Sequence, residues 1–162
     1  MNMNINSLSQ KYSVRKLDEN DVDIIYDMSC KNDIFYQYHP PFVTRESILD
    51  DMAALPLGKS YDDKFYVGFF ENNSLVGLMD LILDYPEKEI AFIGLFMTDT
   101  RYQNRGVGSG IISDVIHCLK SYGYKEIRLG VDKGNPQSYS FWTKNKFTPI
   151  REDTYILMGL RI

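Results

Sequence analysis

QNRGVGSG, residues 103–110, sets three glycines at alternate positions directly ahead of the apolar run IISDVIHCL (111–119). Glycine has the most backbone entropy to lose on folding, so its repetition at a helix start is unfavourable unless the main chain itself must come close to something. Ile111, Ile112, Val115 and Leu119 recur at the helical period, and Gly123 follows as a C′ residue. Upstream, EIAFIGLFMTD (89–99) is continuously apolar, as a strand covered on both faces must be. Downstream, KEIRLGV (125–131) is a second strand. Residues 89–131 therefore read as strand, glycine loop, helix, strand, a unit that pairs its strands in parallel through a right-handed crossover.

The flanking sequence supplies antiparallel partners. SVRKL (13–17) alternates like a short strand, and Asp18 caps a helix over 18–30 that sets Val22, Ile25 and Tyr26 on one face. KNDIFYQYHPPF (31–42) reads as an aromatic loop closed by Pro40-Pro41, and residues 44–56 as a second helix ended by Pro56. KFYVGFF (64–70), a turn at Asn72-Asn73 and SLVGLMDLILDY (74–85) form a hairpin that feeds strand 89–99. A last helix over 135–146 has Asn135 as cap and Pro136 at its first position, and FTPI and DTYILMGLRI close the sheet. The expectation is an α/β fold with a mixed, mostly antiparallel central sheet, one parallel βαβ unit and helices on both faces. Residues 13–162 form a single domain after a flexible N-terminus over 1–12.

The 162 residues carry a net charge of −4, which argues against a nucleic-acid partner and mildly favours a cationic small molecule. Cys30 and Cys118 have no metal spacing, and His39 and His117 are too few for a zinc site, so no metal is expected. The start MNMNINSLSQKYS lacks a signal h-region, and no apolar run approaches membrane-spanning length, so a cytoplasmic protein is the expectation.

Amides in a glycine-rich turn point into its concavity, and the first N–H groups of the following helix have no intrahelical partner. Together they suit phosphate or pyrophosphate, with Arg105 adding charge from the side. The alternative is a tight turn that needs glycine only for positive φ. The dinucleotide pattern G-x-G-x-x-G fails because its third glycine is Ile111. The P-loop tail at Gly58-Lys59-Ser60 fails because its leading glycine is Ala53.

What fits is Q/R-x-x-G-x-G/A, met by Gln103, Gly106 and Gly108. Here the chain resembles the GNAT superfamily of N-acetyltransferases. LFMTDTRYQNRGVG looks like that family's fourth strand and pyrophosphate loop. NPQSYSFWTKNKF looks like its N-x-x-A-x-x-F-Y-x-K-x-G-F segment, with Asn135, Phe141, Lys144 and Phe147 in place. The family's usual Ala is Ser138, its usual Gly is Lys146, and its usual Tyr is Trp142.

The resemblance implies acetyl-CoA as cosubstrate and direct acetyl transfer to a primary amine of a small molecule or peptide. Relatives often dimerise, so a homodimer is compatible with it. It implies that Phe96, Met97 and Thr98 pair with the pantetheine, and that a backbone N–H of this stretch, assigned to Met97, meets the oxyanion. It implies that Gln103, Asn104, Arg105, Gly106, Val107, Gly108 and Ser109 hold the pyrophosphate. Asn135 reaches the pantetheine arm or caps its helix; Trp142 walls the pantetheine or packs the helix. Indole N–H is no useful acid, so Tyr139, one turn earlier, is the candidate proton donor, with a packing role as its alternative. Asp80 and Asp84, at i and i+4 of an apolar strand, are candidate bases unless they sit in water or pair with Lys or Arg. Glu89 is a further candidate. Tyr36, Tyr38 and His39, with Phe42, are expected to shape the acceptor pocket. The competing expectation is a non-catalytic acyl-CoA-binding or sensing module, for which Trp142 speaks.

Overall fold

The strands are β1 (Ser13–Lys16), β2 (Lys64–Glu71), β3 (Ser74–Leu83), β4 (Ile90–Thr98), β5 (Glu126–Val131), β6 (Thr148–Glu152) and β7 (Ile156–Arg161). The helices are α1 (Val22–Ser29), α2 (Asp33–Tyr38), α3 (Arg45–Ala53), α4 (Val107–Ser121) and α5 (Pro136–Lys144). These assignments come from a computed structural model, which describes residues 2–162. The strands form one sheet in the order β1-β2-β3-β4-β5-β7-β6, in which β4 and β5 run parallel and the other neighbours antiparallel. The mixed sheet and its βαβ unit are those expected from the sequence.

Strand alternation sorts the side chains to two faces. Val67, Phe69, Met79, Leu81 and Ile93 pack against Ile111, Ile112, Val115 and Leu119 of α4 and against Trp142 of α5. Tyr66, Phe70, Leu78 and Met97 face Val22, Ile25 and Met28 of α1 and Ile48 of α3. Helices thus cover both faces. A capping box starts α3, where Thr44 Oγ1 accepts from Ser47 N–H at 3.0 Å and Ser47 Oγ accepts from Thr44 N–H at 2.9 Å.

Two segments differ from expectation. The stretch read as a loop over 31–42 contains α2, which has no buried residue and therefore no apolar periodicity to betray it. The N-terminal segment, expected to be flexible, holds a 3-10 turn at Ile5–Leu8, with Leu8 fully buried in the core. Asn4 N–H donates to the Tyr122 hydroxyl and Gln10 N–H to Asp114 Oδ2, both at 2.9 Å, so this segment is tied along α4. Met1 lies outside the described residues.

The feature that makes the site is a bulge. Asp80 pairs with Leu95 and Leu81 with Ile93, leaving Gly94 opposite nothing. The parallel pairing of β4 with β5 ends at that point, its last pair being Ile93 with Leu129. Beyond it the two strands part, and a cleft opens through the sheet.

Candidate active site

Cavities lie at both ends of the cleft. The first, about 730 Å³, is walled by β4 at Phe96–Thr98, by the turn and first residues of α4 at Gln103, Asn104, Gly106, Gly108 and Ser109, and by α5. The second, about 540 Å³, is walled by Tyr36, His39, Asp51, Asp80, Asp132 and Tyr155, among others. Phe35, Phe96, Ser138 and Trp142 line both, so these four residues mark the junction.

The turn before α4 has the conformation of an anion cradle. Asn104 (φ 62°) and Gly106 (φ 76°) are left-handed, while the residues between and after them are not. Such alternation turns successive amides to one side. Gly110 N–H closes the first helical bond on the Gly106 carbonyl at 2.9 Å, leaving the amides of Val107, Gly108 and Ser109 without an intrahelical acceptor. The helix start therefore presents bare N–H groups to the first cavity, the arrangement that stabilises a phosphate.

The side chains of this stretch are used otherwise than the sequence suggested. Gln103 Nε2 donates to Asn32 Oδ1 at 2.7 Å and to the Thr98 carbonyl at 3.2 Å, so its amide fastens the turn to the start of α2. Arg105 is exposed and outside the cavity wall, and Val107 turns its side chain onto the core. A Cβ on Gly108 would stand 3.0 Å from the Phe141 ring, so glycine there admits that neighbouring side chain. Ser109 Oγ accepts from Asn145 Nδ2 at 3.1 Å, joining α4 to the end of α5.

Strand β4 corrects the oxyanion assignment. Asp99 N–H donates to the Val76 carbonyl at 2.8 Å, toward β3. Two residues back, Met97 shares that orientation: its carbonyl lies 3.1 Å from where a Cβ on Gly77 of β3 would stand. Met97 therefore spends its main chain on the sheet, and its side chain is buried on the α1 face. Phe96 and Thr98 turn their backbone groups to the cleft, and the Thr98 carbonyl accepts there from Asn32 Nδ2 at 3.4 Å.

On α5, Asn135 is 2% exposed, and both ends of its amide meet Ser138: Oδ1 accepts the Ser138 N–H at 3.2 Å and Nδ2 donates to Ser138 Oγ at 3.1 Å. It is a helix cap, outside the cavity wall. Tyr139 is 38% exposed and walls neither cavity, which removes it as proton donor. Trp142 is buried among Phe96, Phe141 and Phe147, ring centroids 5.9, 4.9 and 5.1 Å away, and reaches the cleft with one edge of that cluster.

In the second cavity, Asp80 lies directly under the bulge. A Cβ on Gly94 would stand 3.2 Å from its Oδ2. That oxygen accepts from Lys64 Nζ at 2.8 Å, and Oδ1 is buried with no hydrogen-bond partner among the described residues. Burial pushes the Asp80 carboxyl above the ordinary carboxylate range, against the pull of Lys64. Asp51, at the exposed lip of α3, is also raised, by desolvation and then by the charge of Asp80. Asp84 is spent elsewhere: it takes a left-handed turn conformation and accepts from Glu89 N–H at 2.8 Å and from the Tyr124 hydroxyl at 3.4 Å. Glu89 belongs to that same turn, with φ 68°, and neither residue walls a cavity.

Tyr36 walls the second cavity, its hydroxyl pushed up to about 12 by burial. Tyr38 does not; it packs over Gly134 instead, its ring 3.8 Å from where a Cβ would stand. His39 Nδ1 meets Asp132 Oδ1 at 3.0 Å, a clasp from the end of α2 to the β5–α5 loop across the cleft. Asn32, Phe35, Asp51, Lys64 and Tyr155 also bear on the cavities without having been singled out from the sequence, and Lys144 walls the first cavity. Lys144 was visible only as a motif match, and the others carried no signal. Among the described residues no group of His, Cys, Asp or Glu is placed to hold a metal ion, and no helix is long and apolar enough to cross a membrane.

A bare-amide cradle, a splayed parallel strand pair and a second cavity behind it give the cleft one end suited to a phosphate and another end open to a second molecule. The chain belongs to the GNAT family of acetyltransferases, whose family model matches residues 28–147. No curated protein sequence matches the chain significantly. Among similar solved structures, an acetyltransferase from Thermus thermophilus superposes with a TM-score of 0.80 at 19% identity, over 94% of this chain and 97% of that one. PaiA N-acetyltransferase from Thermoplasma acidophilum, solved in complex with coenzyme A, gives 0.71 at 19% identity over 93% and 98%. A putative ribosomal-protein-serine acetyltransferase from Vibrio cholerae gives 0.73 at 15% identity over 95% of each chain. At such identities the likeness is one of fold.

Proposed function

We propose that this protein transfers an acetyl group from acetyl-CoA to a primary amine of a small molecule or peptide, by direct attack in a ternary complex. The observation that carries the reading is the junction: two cavities of different chemistry meet at Phe35, Phe96, Ser138 and Trp142. A thioester entering from the amide-lined side and an amine entering from the acidic side would meet there without solvent between them. Holding two reactants in alignment removes much of a bimolecular barrier.

In this reading the free amides of the α4 start hold the pyrophosphate, and Lys144 adds a cation at the cavity wall. The Thr98 N–H pairs with the pantetheine, the Thr98 carbonyl being held by Asn32 and Gln103. The Phe96 N–H, at the junction, donates to the oxyanion of the tetrahedral intermediate. Asp80 accepts the proton that the acceptor nitrogen gives up as it attacks as the neutral amine. Its raised carboxyl and unpartnered Oδ1 suit that task, and Asp51, Asp80 and Asp132 favour a cationic acceptor. The test is CoA release with a panel of amines at saturating acetyl-CoA; release with a cationic amine and none with its uncharged isostere is the expected result. A non-catalytic acyl-CoA-binding module is the second reading, favoured by Trp142 in the place of an acidic phenol. Tight binding of acetyl-CoA with no release for any amine would decide for it.

A further inference from the structure

Transfer from a thioester is faster when a hydrogen-bond donor stands beside the departing sulfur, where negative charge develops. Of the four junction residues, Phe35 and Phe96 carry no side-chain donor, and the indole N–H of Trp142 belongs to a ring packed in the cluster of Phe96, Phe141 and Phe147. Ser138 is the fourth. Its Oγ accepts from Asn135 Nδ2 at 3.1 Å, and its own N–H is fixed on Asn135 Oδ1 at 3.2 Å. A hydroxyl has one proton to donate. With Asn135 as the donor in that pair, the Ser138 proton is free to turn to a third atom. Asn135 is 2% exposed, so the hydroxyl oxygen is held by a rigid partner on the α5 side of the cleft. Ser138 itself is half-buried and opens on both cavities.

We propose that Ser138 is a catalytic residue that hydrogen-bonds the departing thiolate of CoA, with Asn135 as its positioning residue. The inference rests on the acetyl-transfer reading above. The amine nitrogen forms a bond to the carbonyl carbon, its proton passes to Asp80, and the C–S bond breaks with its electron pair on sulfur. Ser138 Oγ–H stabilises that charge as it develops. An alkyl thiol has a pKa of about 8.5, far below that of an alcohol, so the serine proton is shared and not transferred. CoA leaves as the thiolate and takes its proton from water.

The experiment uses single turnovers of the full chain with acetyl-CoA and with an acetyl thioester whose thiol is markedly more acidic. Removing a hydrogen bond to a developing charge should slow Ser138→Ala roughly ten- to a hundredfold with acetyl-CoA. With the acidic leaving group the deficit should shrink toward unity, because that thiolate needs little help. Ser138→Thr, which keeps the hydroxyl, should recover most of the rate. Acetyl-CoA affinity should hold within about threefold in both variants. An unchanged rate in Ser138→Ala, or a deficit equal for both donors, overturns the assignment while leaving acetyl transfer standing. No turnover by the unaltered protein with any amine overturns both.

Discussion

Lys64 Nζ meets Asp80 Oδ2 at 2.8 Å from a side chain only 4% exposed, and the other carboxylate oxygen is buried without a partner among the described residues. The two residues lie on adjacent strands and on one face, because Lys64 is paired with Ile82 and Asp80 stands two residues along. A buried pair of this kind is costly to break from one side, about 3–5 kcal/mol, since the charge left behind has no water. The fold thus maintains a half-satisfied carboxylate beside a cavity, which is the expected state of a group kept for a proton.

Asp80→Asn retains an oxygen for Lys64 and removes the titration. We expect it to stay folded and to lower kcat/KM for the amine by roughly 10²–10⁴ with little change in acetyl-CoA affinity. In the parent, activity should rise with pH as Asp80 loses its proton, at a pH above the ordinary carboxylate range. The stability effect has the opposite sense. Between the unfolded and the raised folded pKa, the folded state holds a proton that the unfolded state has released, so stability from this group is complete at low pH and is lost as pH rises through the folded value. The stability of Asp80→Asn relative to the parent should therefore increase with pH across that window. Denaturant melts at a series of pH values measure it, and a difference independent of pH would remove Asp80 as the shifted group.

Gly94→Ala tests the bulge. The added Cβ would lie 3.2 Å from Asp80 Oδ2, so the carboxylate must give way by a few tenths of an ångström while the chain stays folded. The expected result is a fall of about tenfold in kcat/KM for the amine, unaltered acetyl-CoA affinity, and a Tm within a few degrees of the parent. A proportional loss of both affinities would mean that the bulge shapes the whole cleft and not the acceptor side alone.

Gly106 and Gly108 should separate two uses of glycine. At Gly106 a Cβ meets nothing within 4 Å, but φ is +76°, so Gly106→Ala costs about 1–2 kcal/mol in backbone strain and should loosen the cradle. At Gly108 the backbone is helical and the obstacle is the Phe141 ring at 3.0 Å. Gly108→Val should displace that ring, which walls the first cavity, and weaken acetyl-CoA binding by at least roughly tenfold. Gly108→Val combined with Phe141→Leu should recover much of that affinity. Failure of that rescue would return the phosphate to the immediate neighbourhood of position 108.

These cases show where the sequence was legible. The βαβ unit was readable because its signals are local: apolar runs, a glycine turn and helical periodicity within 89–131. The short α2 was not, because none of its residues is buried and its aromatic side chains spread over the cleft. The cofactor turn could be located from Gln103, Gly106 and Gly108, but not the work of each side chain, since Gln103 is spent on Asn32 across 71 positions. Asp80 could be nominated from its place in an apolar strand. Its partner Lys64 depends on the register of β2 with β3, and its cavity depends on a bulge hidden inside IAFIGLF. Met97 was misassigned because a strand alternates its backbone as well as its side chains, and only the bond from Asp99 to Val76 fixes the phase.

Trp142→Tyr addresses the departure from the family pattern. The indole packs edge-on against Phe141 and Phe147 and near Phe96, with only 7% of the residue exposed. Replacing it leaves a void and brings a hydroxyl that needs a partner among phenyl rings, a cost of about 1–3 kcal/mol. At roughly 2–4 °C per kcal/mol for a domain of this size, the Tm should fall by several degrees. The single-turnover rate should not rise, because Ser138 already serves the sulfur and the new phenol has the wrong surroundings for proton donation. A faster transfer step in a variant of unchanged affinity would mean that the phenol reaches the leaving group, and the hydroxyl of Ser138 would then be dispensable.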